Sequence, residues 1–285
     1  MTPLIVAWLT LREAARRRLF IALLVITAAS VALTGWGFAQ VRDALPADAL
    51  ITSVERELIY GQLLVLVTFM FSFVLALSAV FIAAPIVAGE LESGIALAIL
   101  ARPVRRSEYL LGRWLGVAGL VFAYAVGSGI VELLVVRVIT GYGPPSAATA
   151  VAYLCAEALI LLTLSILLST RLSAITAGVI GVAIFGLAWI GGIVGGIGVA
   201  LGEPGVARVG ELSRLLLPTD GLWRGVAYHL EPALLLAAAE QAGPAAAAFP
   251  FFADAPPNPP YLAWCAAWVL LVLGLAIVSF RRREI

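Results

Sequence analysis

The sequence has 285 residues, of which 62% are hydrophobic and only 12% are charged, and its mean hydropathy is +1.07. Soluble domains average about 45–50% apolar and about 25% charged residues, so a water-soluble fold of this size would lack the charges to cover its surface. The net charge of +1 excludes a global field that would attract nucleic acid. The composition therefore predicts an all-α, polytopic membrane protein, because a backbone in lipid must pair its own polar groups.

All 18 basic residues are arginine. A Walker A phosphate loop requires lysine, so we expect that this chain does not bind ATP in that way. The single histidine, His229, has no cysteine or second histidine near it in the sequence, and no metal site is predicted. We find no HExxH or GxSxG motif and predict no catalytic residue.

Six apolar runs are long enough to cross a bilayer, because about 20 helical residues span its hydrocarbon core. The whole chain is therefore interpreted as a single transmembrane domain. The predicted spans are 19–38, 58–87, 110–139, 147–168, 175–201 and 261–280.

The arginines predict the orientation. Eleven of the 18 fall in segments that six spans place on the same side as both termini, and Arg113 lies just inside the third span at that side. This bias of twelve arginines predicts cytoplasmic termini in the cell membrane. These twelve are Arg12, Arg16, Arg17, Arg18, Arg102, Arg105, Arg106, Arg113, Arg171, Arg281, Arg282 and Arg283.

Residues 1–18 are predicted to form an amphipathic helix that lies in the cytoplasmic interface. Leu4, Trp8 and Leu11 recur at helical spacing, while Arg12 and Glu13 take the other face. The alternative is a simple cytoplasmic extension of the first span.

The longest loop, 202–260, is predicted to be external and to carry short helices that lie over the membrane part like a lid. Thr219 or Asp220, after Pro218, is predicted to cap one of these helices. The stretch 243–260 is rich in proline and alanine and should be an irregular link.

The cytoplasmic segment 88–109 contains two glutamates, a short apolar helix over 95–100, a proline break, a basic turn and a new helix capped by Ser107. An apolar helix in such a loop needs a surface on which to bury its face, and a partner protein or the membrane interface could supply it. Acids and arginines at its two ends would orient docking.

This pattern resembles the permease subunits of the ABC type-2 transporter family, which share a Gly-Glu-x-Glu-x-Gly stretch, a Pro-x-x-Arg turn and a Leu-Leu-Gly-Lys start of the third span. Arginine stands where lysine is usual, at Arg113, and keeps the charge. The matching residues are Gly89, Glu90, Glu92, Gly94, Pro103, Arg106, Leu110, Leu111 and Gly112.

The resemblance implies a non-catalytic subunit that forms a substrate path and couples to a separate cytoplasmic ABC ATPase. That partner would hold ATP and Mg²⁺, and the permease would work as a homodimer or a related pair in membrane lipid. Residues expected to dock the ATPase are Arg12, Glu13, Arg16, Glu90, Glu92, Ser93, Gly94, Arg102, Arg105 and Arg106.

Two acids inside spans, Glu132 and Glu157, are candidates for a polar point on a substrate path, with a hydrogen-bonded packing role as an equal alternative. Glu132 could also pair with Arg137, although a spacing of five residues is poor for direct contact on one helix. The fifth span is rich in glycine, and small-xxx-small pairs allow close helix approach. These glycines predict a dimer seam or packing within one subunit: Gly191, Gly192, Gly195 and Gly196.

The function predicted from the sequence is the permease of an ATP-driven transporter, with export of a lipophilic or amphipathic substrate. The alternatives are an intramembrane enzyme, for which Glu132 and Glu157 are the only acids available, and a membrane scaffold without transport activity.

Overall fold

The computed structural model describes residues 3–15, 18–45, 53–92, 94 and 105–283, and this part of the chain is helical without strands. Six helices of this described part are long and apolar enough to cross a membrane, as predicted. The ten α-helices within the described residues are, in chain order, α1 Pro3–Ala15, α2 Arg18–Ala44, α3 Ser53–Glu92, α4 Arg106–Thr140, α5 Ala147–Ser169, α6 Ala174–Leu201, α7 Pro204–Leu216, α8 Thr219–Leu230, α9 Ala233–Ala242 and α10 Pro259–Arg281.

The spanning helices α2 to α6 and α10 are all longer than the predicted spans at one or both ends. The 40 residues of α3 extend for about 60 Å at 1.5 Å per residue, twice the thickness of a hydrocarbon core of about 30 Å. Hydropathy defines only the part of a helix that lies in lipid, so the polar ends of α3 and α4 were not included in the predicted spans.

Helix α5 lies at the centre of the bundle. In its apolar window 67% of the residues are buried, against 11% in α2, which is peripheral. Side-chain hydroxyls in this core bond to nearby carbonyls, as where Ser165 Oγ donates to Val80 O over 2.9 Å. Because lipid offers no hydrogen bonds, such pairing removes the penalty for a buried polar group.

Helix α7 runs antiparallel to α6 and does not lie over the bundle. A Cβ atom at Gly191 would meet Ser213, one at Gly195 would meet Gly210, and one at Gly198 would meet Ala207. The residue numbers rise on α6 as they fall on α7, so α7 leads back from the C-terminal end of α6 towards the middle of the bundle.

Helix α8 then returns along α5. Ser146 N donates to His229 O over 3.3 Å at the end of α8, while Asp220 at its start lies within electrostatic range of Glu157. Glu157 is ten residues inside α5, about 15 Å from that end of the helix. We call α7, the turn at Pro218 and α8 the re-entrant hairpin. The predicted lid is therefore wrong in its placement, because small residues on α6 let α7 pack alongside it.

The tip of the re-entrant hairpin is held by aromatic donors from α10. Trp264 Nε1 donates to Leu215 O over 3.1 Å, and Trp268 Nε1 donates to Leu216 O over 2.8 Å. Tyr261 Oη donates to Pro218 O over 3.1 Å. The last carbonyls of a helix have no partner within the helix, and these donors satisfy three carbonyls at the turn.

The predicted cap of α8 is also wrong. Pro218 occupies the capping position, and its side chain makes no capping bond. Asp220 lies within the first turn, where its Oδ2 accepts from Arg214 Nε over 2.7 Å and from Arg224 Nε over 3.4 Å. Two arginines therefore hold the carboxylate that was expected to bind the backbone.

The stretch 243–260 is partly ordered by helix and core contacts, in contrast to the irregular link that we expected. A 3₁₀ segment, Gly243–Ala248, begins at Gly243, which has a φ of 60°. Beyond it, the Phe251 ring lies 4.8 Å from the Phe69 ring, and Trp223 Nε1 donates to Pro250 O over 3.1 Å. Aromatic packing thus anchors this segment to α3 and α8.

One buried acid lies beside this anchored segment, outside the spanning helices. Glu231 is fully buried, and its Oε1 accepts from Ala253 N over 3.3 Å. Burial raises the pKa of Glu231 to about 8. The hydrogen bond from Ala253 N opposes this rise, and the negative charge of Asp254 adds to it. The side chain is therefore protonated in the folded protein at neutral pH.

The contact between α6 and α7 generates a first prediction. Gly210→Ala should lower the stability of the folded protein by about 1–3 kcal/mol, because the added methyl group would overlap Gly195 Cα, 2.7 Å from its position. Gly205→Ala on the same helix is the control, because nothing lies within 4 Å of its Cβ position. The measurement is thermal unfolding in detergent, and equal midpoints for the two variants would contradict the packing.

The raised pKa of Glu231 generates a second prediction. Between its ordinary value of 4.5 and about 8, the folded state keeps a proton that the unfolded state has released, so stability falls as pH rises. Glu231→Gln should therefore match the wild type at pH 4.5 and unfold at a higher temperature near pH 8. Glu211→Gln, an exposed change on α7, is the control. If Glu231→Gln lost as much stability as the wild type between pH 4.5 and about pH 8, this assignment would be refuted.

Candidate functional site

The described residues contain two buried clusters of charged side chains. The first, which we call the Arg113 cluster, comprises Thr10, Glu13, Glu90, Tyr109 and Arg113 at the end of the bundle that carries both termini. The second, the Asp220 cluster, comprises Arg214, Asp220 and Arg224 at the tip of the re-entrant hairpin. Buried charges must be paired to be tolerated in a low-dielectric interior, so both clusters are sites where several elements are tied together.

The Arg113 cluster depends on the close approach of α1 to α4. A Cβ atom on Gly112 would lie 2.5 Å from Val6 Cβ, and one on Gly116 would lie 2.6 Å from Thr10 Cβ. The face that α1 turns to α4 consists of Val6, Thr10 and Ala14, one turn apart. The two glycines of α4 therefore bring the α1 backbone within reach of a side chain between them.

Arg113 is that side chain, and it joins three helices. Its Nη1 donates to Glu13 Oε2 over 2.8 Å and to Thr10 Oγ1 over 3.1 Å, both on α1. Its Nη2 forms an ion pair with Glu90 Oε1 near the end of α3, and Tyr109 Oη donates to the other Glu90 oxygen. A planar guanidinium with donors on several edges can serve two carboxylates at once, which a lysine ammonium does less well.

Burial makes the two charges of the cluster depend on each other. Arg113 is 6% exposed and Glu90 is 4% exposed, so neither charge can be compensated by water. Removing one partner of such a pair typically destabilises a protein by about 3–5 kcal/mol, because the other charge is left buried. The cluster also reaches α10, since the Tyr109 ring stacks on Phe280 with centroids 5.8 Å apart.

A neighbouring arginine fixes the end of α10. Arg106 Nη1 donates to Arg283 O over 2.7 Å and to Arg281 O over 3.1 Å. Arg283 in turn donates from Nη1 to Thr170 O, just beyond α5, over 2.6 Å. Cations close to helix C-termini bind carbonyls that have no partner within the helix. The start of α4 is thereby joined to the ends of α5 and α10.

The predicted docking residues fall into three groups. The first group lies at the surface and contains the exposed residues Arg12, Glu13, Glu92 and Arg105 and the partly exposed residues Arg106 and Gly94. Glu90 is buried in the Arg113 cluster, so a direct contact of Glu90 with a partner is not possible in this structure. The remaining ones, Arg16, Ser93 and Arg102, lie outside the described residues, as does the predicted apolar helix 95–100.

The ends of the helices that flank this segment are defined by backbone conformation. Gly94 has a φ of 75°, a left-handed conformation that glycine adopts without strain just after the end of α3. Helix α4 begins at Arg106 with Arg105 in the capping position and no side-chain capping bond. The cap predicted at Ser107 is therefore wrong, because this serine already lies in the first turn.

The two candidate acids of the substrate path contact different elements. Glu132 Oε1 accepts from Thr34 Oγ1 on α2 over 2.6 Å, while Arg137 is exposed, so the considered pairing of Glu132 with Arg137 does not form. Glu157 faces the Asp220 cluster. Both acids are buried, and one oxygen of each has no hydrogen-bond partner in the described part of the chain. The structure thus does not combine them into a catalytic pair.

The glycines of the proposed dimer seam are buried within one chain. Gly191 and Gly195 face α7, and a Cβ atom on Gly192 would meet the Asp220 carboxylate. Gly196 is buried as well. Packing inside one subunit, the second of the two alternatives, accounts for these contacts, and a seam along this face would require α7 to move away.

The site residues predicted from the sequence did not include Arg113, Tyr109 or Thr10. The available signal was a charged residue after Leu110-Leu111-Gly112, at a position where an apolar span had begun. The Asp220 cluster had no such signal, because the approach of Arg214 to Asp220 depends on the turn at Pro218.

Comparison with known proteins places these features in a family. A search of curated proteins finds no match. A family model described as ABC-2 family transporter protein matches residues 4–285. Because that match covers nearly the whole chain, the protein belongs to the ABC-2 family of transporter permeases, the membrane subunits of ABC transporters.

Proposed function

We propose that this chain forms the bilayer passage of an exporter that is powered by a separate cytoplasmic ABC ATPase. In this proposal, two copies of the chain act with two ATPase subunits, which hold ATP and Mg²⁺. Family membership supports the transporter role. The single observation that carries the coupling mechanism is the Arg113 cluster, which ties α1, the end of α3 and the start of α4 into one unit.

The docking surface in this proposal is the end of the bundle where α3 ends and α4 begins. Arg12, Glu13, Glu92 and Arg105 present exposed charges of both signs there. Such a mixed pattern favours one orientation of a partner and discriminates against others. Several apolar side chains of α1, among them Leu4 and Trp8, are exposed and suit burial at the membrane interface.

Coupling would pass from the docking surface into the bundle through Arg113. A partner that displaces the end of α3 would also move the start of α4 and α1, because Arg113 pairs with Glu90 and bonds to Thr10 and Glu13. Because packed helices shift as rigid units, the motion is transmitted to the bilayer. Glu90 therefore acts behind the docking surface, while Glu92 acts on it.

An apolar cleft supports a lipophilic or amphipathic cargo. It lies between α2 and α4, has a volume of about 740 Å³ and contains Leu24, Val31 and Trp36 among its lining residues. The hydroxyls of Thr27 and Tyr124 hydrogen-bond to each other at its wall. An apolar cavity with a few polar groups suits a molecule of mixed character.

The docking surface generates a third prediction. Glu92→Arg should abolish co-purification of the ATPase, because an exposed acid becomes a base while the buried clusters stay intact. Glu203→Arg is the matched control, since this exposed glutamate starts α7 at the opposite end of the bundle. The proposed surface would be contradicted if Glu92→Arg captured the ATPase as well as the wild type, or if Glu203→Arg failed to capture it.

The Arg113 cluster generates a fourth prediction. Arg113→Gln should lower stability by about 3–5 kcal/mol, because Glu90 would be left buried without its counter-charge. Glu90→Gln combined with Arg113→Gln should recover much of that loss, since no buried charge is left at that pair. Unfolding midpoints measure both effects.

The double variant separates folding from coupling. It should still bind the ATPase, because Glu92 and Arg105 are unchanged, but substrate-stimulated ATP hydrolysis should fall. Arg113→Lys should keep part of the coupling, because it retains the charge and loses the forked geometry. Full coupling in the folded double variant would show that the Arg113 cluster is only structural.

A further inference from the structure

A second apolar cleft opens between α4 and α5, away from the docking surface. It has a volume of about 490 Å³ and is lined along α4 by Phe122, Val126 and Ile130, and along α5 by Ala148 and Val151. From Phe122 to Arg137 it extends for fifteen residues of α4, or about 22 Å. One leaflet of the hydrocarbon core is about 15 Å thick, so the cleft reaches from a membrane surface to at least the bilayer centre.

Arg137 lies at the mouth of this cleft and is the one charged residue among those that line it. It is three residues from the end of α4, at the level where a spanning helix meets the headgroups. Its side chain is exposed and makes no hydrogen bond or ion pair within the described part of the chain. A guanidinium at that depth has five donors that match phosphate oxygens.

The groove of the cleft is therefore apolar, and its mouth is cationic. An acyl chain fits the apolar groove, and an anionic group fits the mouth. We propose that the cleft between α4 and α5 binds one phospholipid of the leaflet opposite the termini, with its phosphate on Arg137 and an acyl chain between the two helices. The charge complementarity at the mouth favours a phospholipid over a neutral lipid or a helix of a second copy.

The small residues of α5 make room for the chain. Ala148 is exposed on the cleft wall, and Gly143 and Pro144 form the rim beside Arg137. A larger side chain at position 148 would fill the groove without touching the buried core. A substitution at position 148 therefore tests the contribution of the groove to lipid binding separately from that of Arg137.

The test is native mass spectrometry of the full-length protein, purified in mild detergent and supplied with either phosphatidylglycerol or diacylglycerol of the same acyl chains. The wild type should retain one phosphatidylglycerol and bind diacylglycerol about tenfold more weakly, because a charged hydrogen bond is lost. Arg137→Gln should remove this preference, and Arg137→Lys should keep part of it. Arg208→Gln, an exposed arginine on α7, is the control and should behave as the wild type.

Ala148→Phe should reduce the retention of both lipids, because it occupies the groove, while thermal unfolding confirms that the variant is folded. Equal retention of the two lipids by the wild type would overturn the proposal, since the phosphate would then contribute nothing. Unchanged retention in Arg137→Gln would do so as well. Disulfide-linked dimers of Ala148→Cys would show that a second copy, and not a lipid, occupies the cleft.

Discussion

The absence of water in the bilayer is the constraint on which this structure depends. A backbone carbonyl or a charged side chain that loses its protein partner in lipid has no solvent to replace it. The re-entrant hairpin illustrates this requirement, because its turn is accompanied by indole and phenol donors from α10 that bond to Leu215, Leu216 and Pro218. Without these donors, a chain reversal at mid-depth would leave carbonyls unsatisfied at a cost of several kcal/mol.

The same constraint explains why the charges occur in clusters. Arg113 and Glu90 are buried together, and Asp220 is placed between Arg214 and Arg224. The Arg113 cluster joins segments that are distant in the chain, whereas the Asp220 cluster joins α7 to α8 across the turn at Pro218. At the end with the termini, charge pairing joins α1 to the ends of α3 and α4, which is the arrangement that the proposed coupling to a separate ATPase requires.

Glycine allows close approach of helices at two places in this architecture. On α4 it admits α1, and on α6 it admits α7, in both places by removing the Cβ that would otherwise hold two backbones apart. Missing Cβ atoms on α4 and α6 therefore position α1, which bears Glu13, and the re-entrant hairpin as much as attractive contacts do. This is why substitutions that improve helix propensity at such positions are expected to harm the fold.

The sequence by itself determined the all-α class, the six spans and the family resemblance, because hydropathy and local motifs depend on neighbouring residues. Only the tertiary structure decided the path of α7 and α8, the burial of Glu90 and the partners of Glu132 and Asp220. A helix that lies over a membrane and one that re-enters it have similar amphipathic spacing, so Leu212 and Leu215 could not distinguish them. Glu90 and Glu92 look alike in the motif, yet the α3 helix directs one towards Arg113 and the other towards solvent. Such differences arise from contacts between segments far apart in the chain, which local patterns do not encode.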